Sequence, residues 1–334
     1  LNFVYLPQSL QEIQREAFYS VVNLYSIDIP DNVVQISNYA FANDYNLSSI
    51  NFTENSKLPR ISFAAFANSG ICTFRVPANV STIAQSAFEG CRNLNSVTFA
   101  ANSKVPSISA YMFYGADNLQ TITFERGSAL TSIQAHALEG MSSLVSVDFG
   151  DAKLTNIDNY AFRYCESLQS LTIPEGVTYI GRFAFYGNTS LSRLDLPTTI
   201  DYIGRYAFYG TTDMNVYFAA DLLPEHLQEN WDRGIAGYYV GVTDVLTNGD
   251  WSYAELSDGT IAVVRYDGTE TQLDLTTVNL GGDIVQIGGY AFYRSPLTSI
   301  VLPQTLNAIQ RYAFAYSNLQ SVTLPANVRF VGQY

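Results

Sequence analysis

Val177-Thr-Tyr-Ile180-Gly-Arg-Phe-Ala184-Phe185-Tyr-Gly187-Asn-Thr-Ser-Leu191-Ser-Arg-Leu194-Asp-Leu196-Pro197 decides how the rest of the chain is read. Its second half, Leu191-x-x-Leu194-x-Leu196, ends in apolar residues alternating with polar ones, the period of a strand with one buried face. In the first half Ile180, Phe183 and Phe185 lie three and five apart, too short for a full helix but suited to one turn of α or 3₁₀ structure. Gly187, two residues after Phe185, suits the left-handed position that closes such a turn.

The same frame returns along the chain. Its Ala-Phe pair recurs at Ala17-Phe18, Ala40-Phe41, Ala65-Phe66, Ala87-Phe88, Met112-Phe113, Ala137-Leu138, Ala161-Phe162, Ala184-Phe185, Ala207-Phe208, Ala291-Phe292 and Ala313-Phe314. Successive steps are 22 to 25 residues, apart from one of 84. The strand half recurs as Leu94-Asn-Ser-Val97-Thr-Phe99, Leu119-Gln-Thr-Ile122-Thr-Phe124, Leu168-Gln-Ser-Leu171-Thr-Ile173-Pro174 and Leu319-Gln-Ser-Val322-Thr-Leu324-Pro325. A fixed period of this length is the signature of a stacked repeat. One coil cannot bury its own apolar face, so neighbours stack, the strands forming a parallel sheet and the Phe residues a continuous spine beside the small Ala.

On these residues the chain resembles the BspA-like class of leucine-rich repeat, over roughly residues 1–218 and 276–334 in eleven registered copies. The resemblance implies an α/β repeat solenoid of 22–25 residues per coil, with a parallel sheet on one face and short helical or 3₁₀ turns on the other. It further implies an exported, cell-surface setting and no enzyme activity. Because Leu1-Asn-Phe-Val4-Tyr-Leu6-Pro7 already reads as a repeat strand and Val328-Arg-Phe-Val331-Gly332 begins a coil without its Ala-Phe, the chain is expected to be part of a longer protein.

The step of 84 residues marks an insert. Leu223, Leu227 and Trp231 fall four apart behind Pro224, which predicts a short capping helix. Trp251 to Leu256 and Thr260 to Tyr266 flank Asp258-Gly259, a two-residue hairpin signal. The resulting division is a repeat stack over 1–218, a capping helix and connection over 219–250, a β-hairpin cap over 251–275 and a second stack over 276–334.

Composition narrows the function. The 334 residues include 24 Tyr and 20 Phe, yet charged residues make up only 14%. The 17 Lys+Arg against 30 Asp+Glu leave a net charge of −13, which repels nucleic-acid phosphates and anionic lipid. No apolar run approaches the ~20 residues of a membrane-spanning helix, so no direct membrane insertion is expected.

Candidate chemistry is sparse. There is no HExxH, paired CxxC, GxGxxG or GxSxG, so no catalytic residue, cofactor site or metal site is assigned. Cys91 and Cys165 each follow a spine residue by three, in coils three steps apart. At ~4.8 Å per strand they stand ~14 Å apart, too far for a disulfide, and read as buried thiols. His136 takes the place filled elsewhere by Tyr39, Tyr111, Tyr160, Phe183, Tyr206, Tyr290 and Tyr312, a substitution in an aromatic ladder, while His226 falls on the exposed side of the predicted helix. Asn-x-Ser/Thr sequons occur at Asn46, Asn51, Asn79 and Asn188. Outward strand positions carry Asp28, Asp148, Asp195 and Glu125 with Arg75 and Arg193, scattered over several coils.

The Tyr excess is the feature most suggestive of binding. Rings just after Phe, at Tyr19, Tyr114, Tyr186, Tyr209 and Tyr293, lie near water and are of the type that dominates interfaces. The candidate ligand face comprises Asp148, Thr172, Arg193 and Asp195 with Tyr186, Tyr209 and Tyr217. The first expectation is a monomeric, non-enzymatic adhesion module, engaging an extracellular or host protein, or a glycan, through the solenoid face. A structural spacer without a ligand is the alternative, and an accessory region of a larger enzyme comes third.

Overall fold

The computed structural model describes residues 3–211 and 213–334. These residues contain no helix and wind as a parallel β-solenoid of about 14 turns. The expectation of an α/β solenoid with helical or 3₁₀ turns is therefore corrected, and the Ala-Phe segment supplies the reason. Phe162 N donates to Ala184 O of the next coil at 2.8 Å, flanked by Tyr160 N to Arg182 O at 3.1 Å and Tyr164 N to Tyr186 O at 2.8 Å. The amides between them turn back within the coil, Ala161 N to Asp158 O and Arg163 N to Tyr160 O. In a helix every amide would bond along its own axis. Here every second amide bridges neighbours, which requires left-handed residues on both sides of Phe: Tyr160 at φ 61° and Tyr164 at φ 60°. Such a conformation costs a non-glycine residue about 1 kcal/mol or more, offset by the coil-to-coil bonds and by ring stacking.

Two more ladders complete each coil. Ser96–Phe99 pairs in parallel with Thr73–Val76 on one side and Thr121–Phe124 on the other, setting Phe74, Val97 and Ile122 side by side. The two-residue strand Ser107–Ile108 pairs with Ser132–Ile133, and the register runs on through Ile157, Ile180 and Ile203, all fully buried. Between the ladders the Phe spine is continuous where Phe recurs: Phe66, Phe88 and Phe113 stack at 5.3 and 5.5 Å, Phe162, Phe185 and Phe208 at 5.2 and 5.8 Å.

The chain divides into two compact units, Leu1–Ser192 with Thr199–Thr211 and Pro224–Arg233, and Arg193–Thr198 with Thr212–Leu223 and Gly234–Tyr334. In the first unit the long ladder is broken between Ser49–Phe52 and Thr73–Val76, which lie in separate sheets. Cys72 N still donates to Ser48 O at 3.1 Å, so the strands are joined at that end. Beyond it Phe74 stands where Ile27, Ile50 and Val97 stand in other coils. Its ring lies edge-on between Phe52 (5.9 Å) and Phe88 (4.7 Å).

The helix expected over 221–231 is absent, and this too is a correction. His226–Leu227 is a strand pairing in parallel with Tyr202–Ile203, and Trp231 lies edge-on to Phe208 at 6.3 Å. The four-residue spacing that imitated a helical face belongs to one more, irregular coil. Of the strand expected over 1–7, Leu1 and Asn2 lie outside the described residues, and 3–7 form no strand.

In the second unit Val242–Asn248, Trp251–Leu256 and Ile261–Tyr266 are successively antiparallel. Ile261–Tyr266 also pairs in parallel with Ile284–Ile287, followed by Ala308–Ile309 and Phe330–Val331. Trp251 and Tyr266 pack against Phe292, which stacks on Phe314 at 5.2 Å.

Candidate binding surfaces

The residues singled out from sequence do not form one cluster. In the first unit Asp148 and Thr172 lie exposed on strands Ser146–Asp148 and Ser170–Thr172, with Asp148 Oδ1 accepting Gly150 N at 2.9 Å. Tyr186 and Tyr209 project instead from the Ala-Phe turns, their rings stacked at 5.5 Å. In the second unit Arg193 binds Asp195 at 2.8 Å and its guanidinium lies 5.0 Å from the Tyr217 ring. Tyr217 is only 4% exposed and burial pushes its phenol up, so it serves as packing beneath that pair, stacked on Tyr239 at 5.0 Å.

Around Tyr186 the turns carry a face that sequence reading missed. The Arg163 guanidinium sits 4.6 Å from the Tyr164 ring, 5.4 Å from Tyr160 and 5.3 Å from Tyr186. Glu139 holds it at 2.9 Å and also bonds His136. His136 stacks between Tyr111 at 5.1 Å and Tyr160 at 4.7 Å, within the aromatic ladder. Next along, Arg182 lies 5.1 Å from Phe183, and Arg205 lies 4.8 Å from Tyr206. Guanidinium over aromatic ring is attractive, about 0.5–1 kcal/mol where solvent reaches it. The signal in the sequence was Arg beside Tyr, in Arg163-Tyr164 and Arg205-Tyr206, but contacts between coils appear only once the register is known.

The broken ladder opens a second feature, a crevice of about 520 Å³. Half-buried Phe52 forms part of its lining, with Asn51, Thr73, Arg75, Pro77 and Ala101 around it. Arg75 is held by a two-pronged pair with Glu125, Nη1 to Oε1 at 2.6 Å and Nη2 to Oε2 at 2.9 Å, while Ala101 N also donates to Glu125 Oε2 at 2.9 Å. Acids and bases that looked scattered in the sequence are thus joined across coils.

Cys91 and Cys165 are buried and unpaired, and Cys72 is exposed. Burial pushes the Cys91 thiol up to about 11, and its Sγ donates to Phe66 O at 3.0 Å. His226 is exposed beside Asp201 at 2.9 Å, which raises its imidazole. Asn188 is fully buried and accepts Cys165 N at 3.0 Å, so that sequon is closed in the folded chain. Among the described residues no three His, Cys, Asp or Glu side chains converge as a metal-binding group, and no helix is long and apolar enough to cross a membrane.

Comparison with known proteins places these coils. The model of the BspA type leucine-rich repeat region matches residues 1–95, 86–215 and 270–334, in six copies. No curated protein matches the chain. Among solved structures, a leucine-rich repeat protein from Bacteroides ovatus is 19% identical, aligned over 98% of this chain and 73% of its own, with a TM-score of 0.43. The T. pallidum leucine-rich repeat protein is 25% identical over 47% of this chain and 72% of its own, TM-score 0.41. A leucine rich cell surface protein from Faecalibacterium prausnitzii is 18% identical over 78% and 77%, TM-score 0.36. With the family match spanning most of its length, the chain belongs to the BspA type leucine-rich repeat family.

Proposed function

We propose that the chain is a non-enzymatic binding module of an exported cell-surface protein, and that it engages a protein partner through the Tyr-Arg face of the first unit. The observation that carries this reading is Arg163 within 5.4 Å of three Tyr rings. Rigid aromatic rings and Arg are the residues that dominate protein interfaces, since they bury large area for little lost conformational freedom. Glu139 fixes Arg163, and Tyr164 and Tyr209 stay open to solvent beside it. In this reading Asp148 and Thr172 on the sheet strands, and Arg193 with Asp195 in the second unit, are separate polar surfaces, each able to take contacts of its own. All of these residues lie in the repeat stack over 1–218, which the connection over 219–250, the hairpin over 251–275 and the second stack over 276–334 follow.

The test is an array of immobilised extracellular-matrix and serum proteins probed with the whole chain. At least one is expected to be retained with a dissociation constant below ~100 μM, and Arg163→Ala or Tyr209→Ala to weaken it about tenfold. If nothing is retained at that concentration, the chain is a spacer and the Tyr-Arg face serves stacking alone.

A further inference from the structure

The crevice between Ser49–Phe52 and Thr73–Val76 combines features that the Tyr-Arg face lacks. At about 520 Å³ it falls in the ~300–1,000 Å³ range of small-ligand sites. Its lining is mixed in a particular way. Phe52 offers a half-buried ring and Ala101 a small apolar patch, whereas Asn51 and Thr73 supply an amide and a hydroxyl. Arg75 spends two of its N–H groups on Glu125, leaving three of the five guanidinium donors free of that pair. Glu125 keeps acceptor capacity beside them, so the pair presents donors and acceptors next to one another with its charge balanced.

That combination excludes several ligand classes. A strongly anionic ligand would meet Glu54 in the lining, and the balanced Arg75–Glu125 pair offers an ion of either sign no unpaired charge. A purely apolar group would strip water from the ion pair, Asn51 and Thr73 without replacing its hydrogen bonds, leaving polar groups unsatisfied. A pyranose ring meets each condition. Its C–H face packs on an aromatic ring, and adjacent hydroxyls, each both donor and acceptor, bridge a guanidinium and a carboxylate. We propose that this crevice is a binding site for a neutral hexose unit of a glycan, with Phe52 as its platform and the Arg75–Glu125 pair as its diol clamp. The crevice lies where Ser49–Phe52 and Thr73–Val76 fall in separate sheets, next to this ion pair.

The whole chain is titrated with maltotriose, cellotriose and N-acetyllactosamine, read by saturation-transfer NMR and calorimetry. At least one of the three is expected to bind with a dissociation constant on the order of 1 mM, with saturation strongest on its ring C–H protons. Arg75→Ala and Phe52→Leu should each weaken it at least tenfold. Phe52→Leu keeps the apolar bulk and so the melting temperature while removing the ring, which separates loss of the site from loss of the fold. Arg265→Ala, in the second unit, should leave binding unchanged. The proposal is overturned if none of the three binds at about 10 mM, if binding survives both crevice variants, or if a galacturonate trimer binds more tightly than every neutral sugar. Failure here leaves the protein-binding reading standing, because that reading is tested through Arg163 and Tyr209.

Discussion

Arg75 and Glu125 meet across two turns of the solenoid, fifty residues apart in sequence, with Thr98 in register between Arg75 and Thr123 on the intervening strands. The Arg75 and Glu125 side chains together bridge about 10 Å of stacked backbone, two strand spacings, to make this contact.

For stability the pair should matter little. Its side chains are 56% and 37% exposed, so solvent screens the attraction and a double-mutant cycle of Arg75→Ala and Glu125→Ala should give a coupling of about 0–1 kcal/mol, shrinking with added salt. The guanidinium holds the Glu125 carboxyl below its ordinary range, so any such stability is present at neutral pH and is lost as acid protonates Glu125. A salt-independent coupling well above 1 kcal/mol would show the pair to be shielded from water, unlike an open sugar clamp.

The spine is where stability concentrates. Phe162 is fully buried and stacks on Phe185 at 5.2 Å and 10°. Phe162→Ala should leave a cavity and cost ~3–5 kcal/mol, measured as the shift in urea unfolding free energy. A cost under ~1 kcal/mol would mean that neighbouring coils close over the gap and that the spine is not a load shared along the stack.

Asp44 carries a pH dependence of opposite sign to that of Glu125. It follows Phe41 by three, the buried position held by Ser69, Cys91, Cys165 and Asn188 in other coils, and has no measurable exposure. Burial pushes its carboxyl from 3.8 up to about 7, against the hydrogen bond that Val21 N donates to Oδ1 at 2.6 Å, while Oδ2 has no partner among the described residues. The folded chain therefore holds this proton more tightly than the unfolded chain. Asp44's contribution is most favourable below pH ~4 and declines as pH rises toward 7 and beyond. Thermal melts of the parent and Asp44→Asn should diverge as pH rises from 5 to 8, the variant melting higher at pH 8. Parallel curves across that interval would place a solvated, ordinary carboxylate at this position.

How much of this was legible depends on what each pattern distinguishes. The strand register and Phe column were readable because Ile133, Ile157, Ile180 and Ile203, and Phe162, Phe185 and Phe208, recur at nearly constant intervals, and a stacked repeat converts interval into contact. The turn was misread because Ile180, Phe183 and Phe185 have the apolar spacing of one helical turn whether or not alternate residues are left-handed. Tyr and Phe at those positions, φ 61° at Tyr160 and 55° at Phe183, are residues that rarely take that conformation, so composition argued the wrong way. The Arg163 cluster joins residues 160, 164 and 186, and 186 comes from the next coil. Nor did sequence flag the crevice, since Thr73–Val76 has the same apolar alternation as strands that pair on both sides.

Close stacking of coils makes the last prediction a contrast between two glycines. A Cβ on Gly204 would fall 2.3 Å from Arg182 N and 2.7 Å from Arg182 Cα, backbone of the preceding coil that cannot move without loosening the short ladder from Ile180 to Ile203. A Cβ on Gly140 would meet nothing within 4 Å, although its φ of +78° is unfavourable for alanine. Gly140→Ala should thus cost about 1 kcal/mol, from backbone conformation alone. Gly204→Ala should cost ~2–3 kcal/mol through overpacking and lower the folding cooperativity seen in the denaturant slope. Equal costs at the two sites would mean that the coil-to-coil distance adjusts freely, and the bonds from the Ala-Phe turns to the next coil would then not be what fixes it.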